Sequence, residues 1–213
     1  MARTAKSTTR KAGSTPSRRR DRPAPRQRLL GTATQLFTTE GIRVIGIDRI
    51  LREADVAKAS LYSLFGSKDK LVVAYLEALD EQWRASWHER SDDLSDPKLE
   101  ILAFFDKAIA DMPDMNYRGS HFQNAASEYP MPETETEHEI RAAAAAHRTW
   151  CLDTLRPRCA ALGAENPEQL ANQLLVMLDG GINGSKMTGT VAPLELARDM
   201  AESCLLNTTD APA

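Results

Sequence analysis

The sequence predicts an all-α protein: an N-terminal three-helix unit containing a helix-turn-helix, followed by a larger helical body. Three observations carry this. Alanine and leucine are abundant while only six valines occur in 213 residues, a composition that favours helix over sheet. Apolar residues recur at spacings of three and four along most of the chain. The breaks between those runs carry helix punctuation, with Ser, Asp or Asn ahead of a run and Gly after one.

Taken in order, residues 1–24 are rich in Arg, Ser, Thr and Pro without apolar periodicity. Such a segment cannot bury enough surface to offset chain entropy and is expected to be a disordered basic arm. Helix begins near Pro25, where Leu29, Ala33, Leu36 and Phe37 share a face and Gly41 stops the run. Ile47, Ile50, Leu51 and Ala54 mark a second short helix, and a third follows almost at once around Lys58 to Leu64. After Phe65-Gly66 a long helix opens with Ser67 as N-cap and Asp69 in its first turn, where a carboxylate suits the helix dipole. Val72, Tyr75, Leu76, Leu79, Trp83 and Trp87 give it an apolar stripe over several turns.

The second half continues in the same way. Asp96-Pro97 reads as a cap followed by proline at the first helical position, with Leu102, Phe105 and Ile109 on the buried face. Pro113, Asn116 and Gly119 predict a loop or broken helix over 111–120. The stretch 128–139, with five glutamates, two prolines and no Lys or Arg, reads as a solvated connection. A long Ala-rich helix carrying Trp150 and Cys151 comes next. Asn166-Pro167-Glu168-Gln169 is a capping signature ahead of Leu170, Leu174, Met177 and Leu178. A last helix starts near Pro193 and aligns Leu194, Ala197, Ala201, Cys204 and Leu205. Residues 207–213 are expected to be a disordered tail.

The formal net charge of −3 hides a strong asymmetry. Residues 1–28 hold ten Arg or Lys against one acid, Asp21, while the rest holds 17 bases and 29 acids. A basic arm on an acidic body points to a polyanion partner at one end. Cys151 and Cys159 lie eight apart on one helix, about 12 Å along its axis, too far for a disulfide. Three plain thiols suit a reducing cytoplasm. The basic N-terminus is followed by no apolar signal region, and no run is long enough to span a membrane. An enzyme is not expected, because the chain has no phosphate loop, no G-x-S-x-G, no H-E-x-x-H and no clustered carboxylate pair. His121, His138 and His147 lack metal-ligand spacing and are expected at the surface or in packing, so neither a metal nor a cofactor is expected.

Residues 47–65 read I-D-R-I-L-R-E-A-D-V-A-K-A-S-L-Y-S-L-F. Two short helices meeting at Asp55-Val56 require a sharp corner. Asp tolerates the left-handed conformation such a corner needs. With Ile50, Ala54, Val56, Leu61 and Phe65 inside, Lys58, Ala59, Ser60, Tyr62 and Ser63 face outward. That face suits a DNA groove. Lys58 can reach a phosphate or guanine edge, Ser60 a base or phosphate, and Ala59 admits a thymine methyl. Tyr62 can donate its hydroxyl to a phosphate. Lys68, in the first turn of the next helix, adds a cation where free backbone N–H groups also favour a phosphate.

The run from Arg26 through Leu71, about a quarter of the chain, resembles the DNA-binding domain of TetR-family repressors. The matching features are L-F-x-x-x-G in the first helix, Ile50 and Ala54 in the second, and L-Y-x-x-F-G-S-K-x-x-L from Leu61 to Leu71. The resemblance implies a homodimer that binds double-stranded operator DNA with its third helix in the major groove, and phosphate contacts at Tyr62 and Lys68. Arg26, which opens the matching run, joins the expected DNA contacts. Gly46 and Ala57 stand where the family has Thr or Ser at helix starts, and Asp55 where it has the turn glycine.

Residues 118–130, R-G-S-H-F-Q-N-A-A-S-E-Y-P, resemble a stretch of one branch of the family that carries Cys-Pro in place of Ser120-His121. The family implies an effector cavity among the central helices and a four-helix dimer interface from the last two helices of each subunit. Asn124 and Glu128, one turn apart, can converge beside Phe122, Tyr129 or Trp150, the mixture a pocket needs. Phe122, Asn124, Glu128 and Trp150 are therefore the expected ligand contacts, and the ligand is expected to be small and largely apolar, neutral or cationic. Gly180, Gly181 and Gly184 could allow close helix approach across a dimer, and Leu178 is expected at that interface. The domains expected are thus 25–70 for DNA and 71–206 for effector and dimerisation. The alternative, on the charge split alone, is an effector-independent architectural DNA-binding protein.

Overall fold

A computed structural model describes residues 22–209, in which nine helices and no strands are found. Most of the expected arm lies outside the described residues, as do residues 210–213. In chain order the helices are α1 (Pro25–Glu40), α2 (Ile47–Ala54), α3 (Lys58–Phe65), α4 (Lys68–Ser91), α5 (Pro97–Asp114), α6 (His121–Glu128), α7 (Glu135–Ala161), α8 (Pro167–Thr188) and α9 (Ala192–Thr209). The expected caps are in place: Ser67, Asp96 and Asn166 each accept a backbone N–H from the first turn of their helices. Neither Gly46 nor Ala57 supplies a side-chain cap, so α2 and α3 depend on packing rather than on their own ends.

Three boundaries differ from expectation. α5 runs through Pro113 to Asp114 instead of breaking. Pro113 sits in the last turn, where losing one N–H costs little, and Met115 and Tyr117 close the turn on the Asp111 and Met112 carbonyls. The acidic stretch 128–139 is only briefly a connection. Thr134 and Glu137 form a reciprocal capping box, and glutamates 135, 137 and 139 enter the first turns of α7, where the dipole favours them. At the other end α9 continues to Thr209, beyond the expected start of the tail at 207.

Two buried apolar clusters organise the chain. The first joins α1–α3 to the start of α4 through Leu29, Phe37, Ile50, Leu61, Leu71 and Tyr75, and extends into α6 and α7 through Phe122, Tyr129 and Ile140. The second holds the far end of α4 and α5 against α7, α8 and α9 around Trp87, Phe104, Cys151, Leu174 and Leu194. The apolar division therefore falls within α4, beyond residue 76, rather than at residue 70.

The glycines of α8 serve the inside of the chain. A Cβ on Gly181 would stand 2.8 Å from the Ala197 Cβ, and one on Gly184 would stand 2.7 Å from the Pro193 Cβ. Both admit α9 of the same chain, correcting the expectation of close approach across a dimer. Gly180 has open space beside it. Leu178 is likewise buried in the second cluster rather than presented at an interface, because its face of α8 is turned towards α5 and α7. Gly181→Ala should lower stability by about 1–3 kcal/mol through overpacking. Gly31→Ala, in the middle of α1 with nothing within 4 Å, should raise it by about 0.5–1 kcal/mol. Denaturant unfolding of the two variants checks both signs.

Candidate DNA-reading face and ligand cavity

The helix-turn-helix corner is built from backbone geometry. Asp55 has φ 49° and ψ 57°, the left-handed conformation that the corner demands, and Val56 N–H closes on the Leu51 carbonyl at 3.1 Å. Arg28 locks the corner from α1. Its guanidinium donates to the Ala54 and Asp55 carbonyls at 3.0 and 2.9 Å and to the Pro23 carbonyl at 3.0 Å. Arg22 pairs with the Asp55 carboxylate and holds it below the usual carboxylate range. The last residues of the expected arm thus lie against the turn. Sequence reading missed both arginines, because their partner is a turn more than 25 residues away.

With Ile50, Ala54 and Leu61 buried and Val56 and Phe65 partly so, α3 turns Lys58, Ala59, Tyr62 and Ser63 to solvent. Ser60 is half-buried. Arg26 is exposed and lies over the Phe65 ring, its guanidinium carbon 5.1 Å from the centroid. Asp48 of α2 also borders this face, within 3.9 Å of the Lys58 ammonium. Lys68 departs further. Its Nζ donates to the Ile42 carbonyl at 2.7 Å and sits 5.9 Å from the Phe37 centroid, and burial lowers its pKa. The Lys68 ammonium is spent on closing the α1–α2 loop instead of standing at the surface as a phosphate contact.

Glu128, expected to contact a ligand, does something else. Its two carboxylate oxygens accept the backbone N–H groups of Ile42 and Arg43 at 3.0 and 2.6 Å. Arg43 in turn lies over the Tyr129 ring and reaches Glu137, while Lys70 pairs with Glu139. The end of α6 and the start of α7 are thereby belted to the α1–α2 loop and to the first turn of α4.

A cavity of about 290 Å³ opens beside the other end of α6. Its apolar wall includes Trp83, Met112, Met115, Phe122, Leu175 and Ile182, and its polar positions are Asp111, Ser120, His121, Gln123, Arg141, His147, Arg148 and Asp179. Of the expected ligand contacts only Phe122 is on this wall. Asn124 faces the other side of α6, donating to the Arg118 carbonyl and accepting from Lys186. Trp150 packs edge-on against Trp83 and Trp87, behind the wall. Helical spacing explains the misses on α6: 122, 123 and 126 share the cavity side and 124 and 128 the opposite one, with His121 reaching the cavity from the first position of the helix.

His121 and His147, expected to be surface or packing residues, both line the cavity. The His147 ring stacks on Phe122 with centroids 3.8 Å apart, and its Nδ1 lies 2.8 Å from Asp80. The signal available was the alanine run 142–146: short side chains at 144 and 145 leave the room that the ring of His147 borders. Among the described residues no group of His, Cys, Asp and Glu could hold a metal ion, and no helix is long and apolar enough to cross a membrane.

Comparison with known proteins agrees with this geometry. Residues 29–75 match the family of bacterial regulatory proteins, tetR family. A crystal structure of a TetR-family transcriptional regulator from Streptomyces coelicolor is 31% identical, covering 87% of this chain and 96% of that one with a TM-score of 0.78. The uncharacterized HTH-type transcriptional regulator YxaF of Bacillus subtilis is 27% identical over 76% of this chain and 83% of its own length. The reduced form of Escherichia coli NemR shares the fold at 22% identity, with a TM-score of 0.72 over 89% of this chain and all of that one.

The Glu128 hold can be tested directly. Glu128→Ala leaves two N–H groups without their charged acceptor, which should cost about 1–3 kcal/mol. Hydrogen exchange at the Ile42 and Arg43 amides should accelerate, while amides of α8 stay protected.

Proposed function

The chain belongs to the TetR family of transcriptional regulators, and from that premise we propose that it is a repressor released from operator DNA by a small molecule held in its central cavity. It is a DNA-binding regulator rather than an enzyme. Residues 25–70 read DNA in this proposal, and the body from 71 to 206 binds the effector and dimerises in the cytoplasm.

The single observation that carries the reading is the span of α6. One end, His121 to Gln123, lines the cavity; the other, Glu128, holds the backbone of the α1–α2 loop. A helix is stiff, so a ligand that displaces the cavity end moves Glu128 and with it the reading unit. Such a ligand must bind the DNA-incompetent arrangement more tightly, and a coupling of about 1–3 kcal/mol would change operator affinity roughly 5–150-fold. The effector-independent architectural alternative leaves the cavity and this linkage without a purpose.

On DNA, α3 enters the major groove with Lys58, Ala59 and Ser60 towards base edges, and Tyr62, Ser63 and Arg26 towards phosphates. Selection of bound sites from random duplex should return a palindrome whose half-site centres are about 34–36 Å apart or a multiple of that. Lys58→Ala or Ser60→Ala should change base preference by about 1–3 kcal/mol at one position. Tyr62→Phe should weaken all sites alike. Equal affinity for random duplex and the best selected site would overturn the proposal.

Dimerisation uses the outward faces of α8 and α9. Val176 and Met187 on α8 are 63% and 88% exposed, and Leu196 and Met200 on α9 are 61% and 51% exposed. Apolar side chains clustered on the outside of the last two helices suit a symmetric four-helix contact. Met200→Glu, which places a charge outside the core, should convert the dimer to a folded monomer by sedimentation. A variant that still sediments as a dimer would place the interface elsewhere.

A further inference from the structure

The charged side chains of the cavity wall pair off against one another and leave one cation over. Arg148 pairs with Asp179, and Asp111 pairs with the buried Lys107. Asp179 also accepts from Gln123 at 2.7 Å. His121 adds no charge at neutral pH, because burial, followed by the positive charge of Arg118, pushes its imidazole down to about 4. Arg141 has no carboxylate partner among the described residues. Its Nη1 donates to the Ala126 carbonyl at 2.6 Å and to the Tyr129 carbonyl at 3.5 Å. Ala126 itself lines the cavity, so the guanidinium stands at the wall. Nε and Nη2 make no hydrogen bond among the described residues, and neither is sealed inside the protein.

Carbonyl oxygens satisfy hydrogen bonds without neutralising a charge. The two that Arg141 reaches belong to the end of α6, where the helix dipole supplies only a partial negative charge, about half a unit. The wall thus carries a cation in excess of its carboxylates. An ammonium ligand would meet that cation and find no unmatched carboxylate. An uncharged ligand would displace water from the guanidinium and return no charge to it, which is costly. A carboxylate restores the balance, and its two oxygens match the two parallel N–H groups that the guanidinium keeps free on its Nε–Nη2 edge. The rest of the wall asks for an apolar body. Trp83 and the stacked Phe122–His147 pair present aromatic surface, and Met112 and Met115 supply thioethers that adapt to a ring. A volume of about 290 Å³ lies at the small end of ligand sites. The acid-rich composition of the body points to a neutral or cationic ligand, but the wall reverses that, since its carboxylates are already paired.

We propose that the cavity takes a monoanionic aromatic carboxylate of one or two rings, bound by the Arg141 guanidinium. This rests on the reading of the cavity as the effector site and adds the charge of the ligand and the residue that selects it. Arg141 also gives that charge a route to the reading unit. The carbonyls held by its Nη1 flank Glu128 on either side. A carboxylate that draws the guanidinium towards the cavity therefore loads the turn that grips the α1–α2 loop.

Three probes on one ring system separate charge from shape: 2-naphthoate, its uncharged isostere 2-naphthamide, and 2-naphthylmethylammonium, each titrated calorimetrically into the full-length protein at neutral pH. Naphthoate should bind about tenfold tighter than naphthamide or better, the ratio expected of a hydrogen bond to a charged group. The ammonium should bind weakest. Arg141→Gln should bring naphthoate down to the affinity of naphthamide, with naphthamide still bound as evidence that the cavity is intact. Arg141→Lys, which keeps the charge and loses the fork, should retain a preference for naphthoate. If Arg141→Gln does not fold, the naphthoate-to-naphthamide ratios of the natural protein and of Arg141→Lys decide the matter. Naphthamide equal to or tighter than naphthoate in the natural protein, the ammonium tighter than either, or no saturable binding of any probe overturns the proposal. So does an Arg141→Gln variant that keeps the preference, or one that loses both probes equally, which would mark the arginine as a support of α6 alone. Operator release is read separately. Naphthoate that binds through Arg141 without releasing DNA upholds the ligand class and removes the effector role. An uncharged or cationic compound that releases DNA while naphthoate fails to bind does the reverse.

Discussion

The sharing of α4 between two hydrophobic clusters is the constraint on which the rest of the molecule depends. Leu71, Val72, Tyr75 and Leu76 at its start are buried among α1–α3, and Trp87 near its end is buried among α5, α7, α8 and α9. Each large apolar side chain removed from water contributes about 1.5–3 kcal/mol, so both ends of the rod are firmly held. Neither cluster can shift along α4 without exposing part of that surface. The reading unit and the body are consequently not beads on a linker: any rearrangement of the body that moves α4 moves the third helix as well.

Within that frame α6 is the lightly built element. It is eight residues long, follows two consecutive left-handed residues, Asn116 and Tyr117, and ends in a carboxylate bonded to another unit's backbone. A bulky residue such as Tyr117 with φ 56° is strained, and such strain persists only where the surroundings hold it. Tyr117 is held because its side chain packs on the second cluster and its N–H bonds to the Met112 carbonyl. The short helix between the strained turn and Glu128 thus borders the cavity at one end and the α1–α2 loop at the other.

The division of labour among polar residues follows from satisfaction. Arg28, Lys68 and Glu128 are charged, close to the reading unit, and all committed to backbone groups that helix ends and loops leave unpaired. Lys58, Tyr62 and Ser63 on α3 carry no such backbone commitment and remain exposed. In the cavity the same logic leaves the His121 ring without a hydrogen bond among the described residues and the Arg141 guanidinium with backbone carbonyls as its partners. Recognition falls to the groups that folding does not consume.

The sequence by itself determined what depends on near neighbours along the chain. Helix caps such as Ser67, Asp96 and Asn166, the apolar periodicity of α4, and the sharp corner at Asp55 are all set by residues within a few positions of one another. The motif from Leu61 to Leu71 was legible for the same reason, and so was the outward face of α3. What only the tertiary structure decided depends on which distant groups meet. Lys68 and Glu128 both carry charges that a local reading sends outward, yet the N–H and carbonyl groups of residues 42 and 43 draw them in. The cavity residues came from five helices and could not be collected by spacing, and the choice of 122, 123 and 126 over 124 and 128 depended on how α6 is rotated against α7. Gly181 and Gly184 faced the same ambiguity, resolved only when α9 packed on them. Local periodicity fixes which residues share a helix face, but only the packing of helices fixes which way that face points.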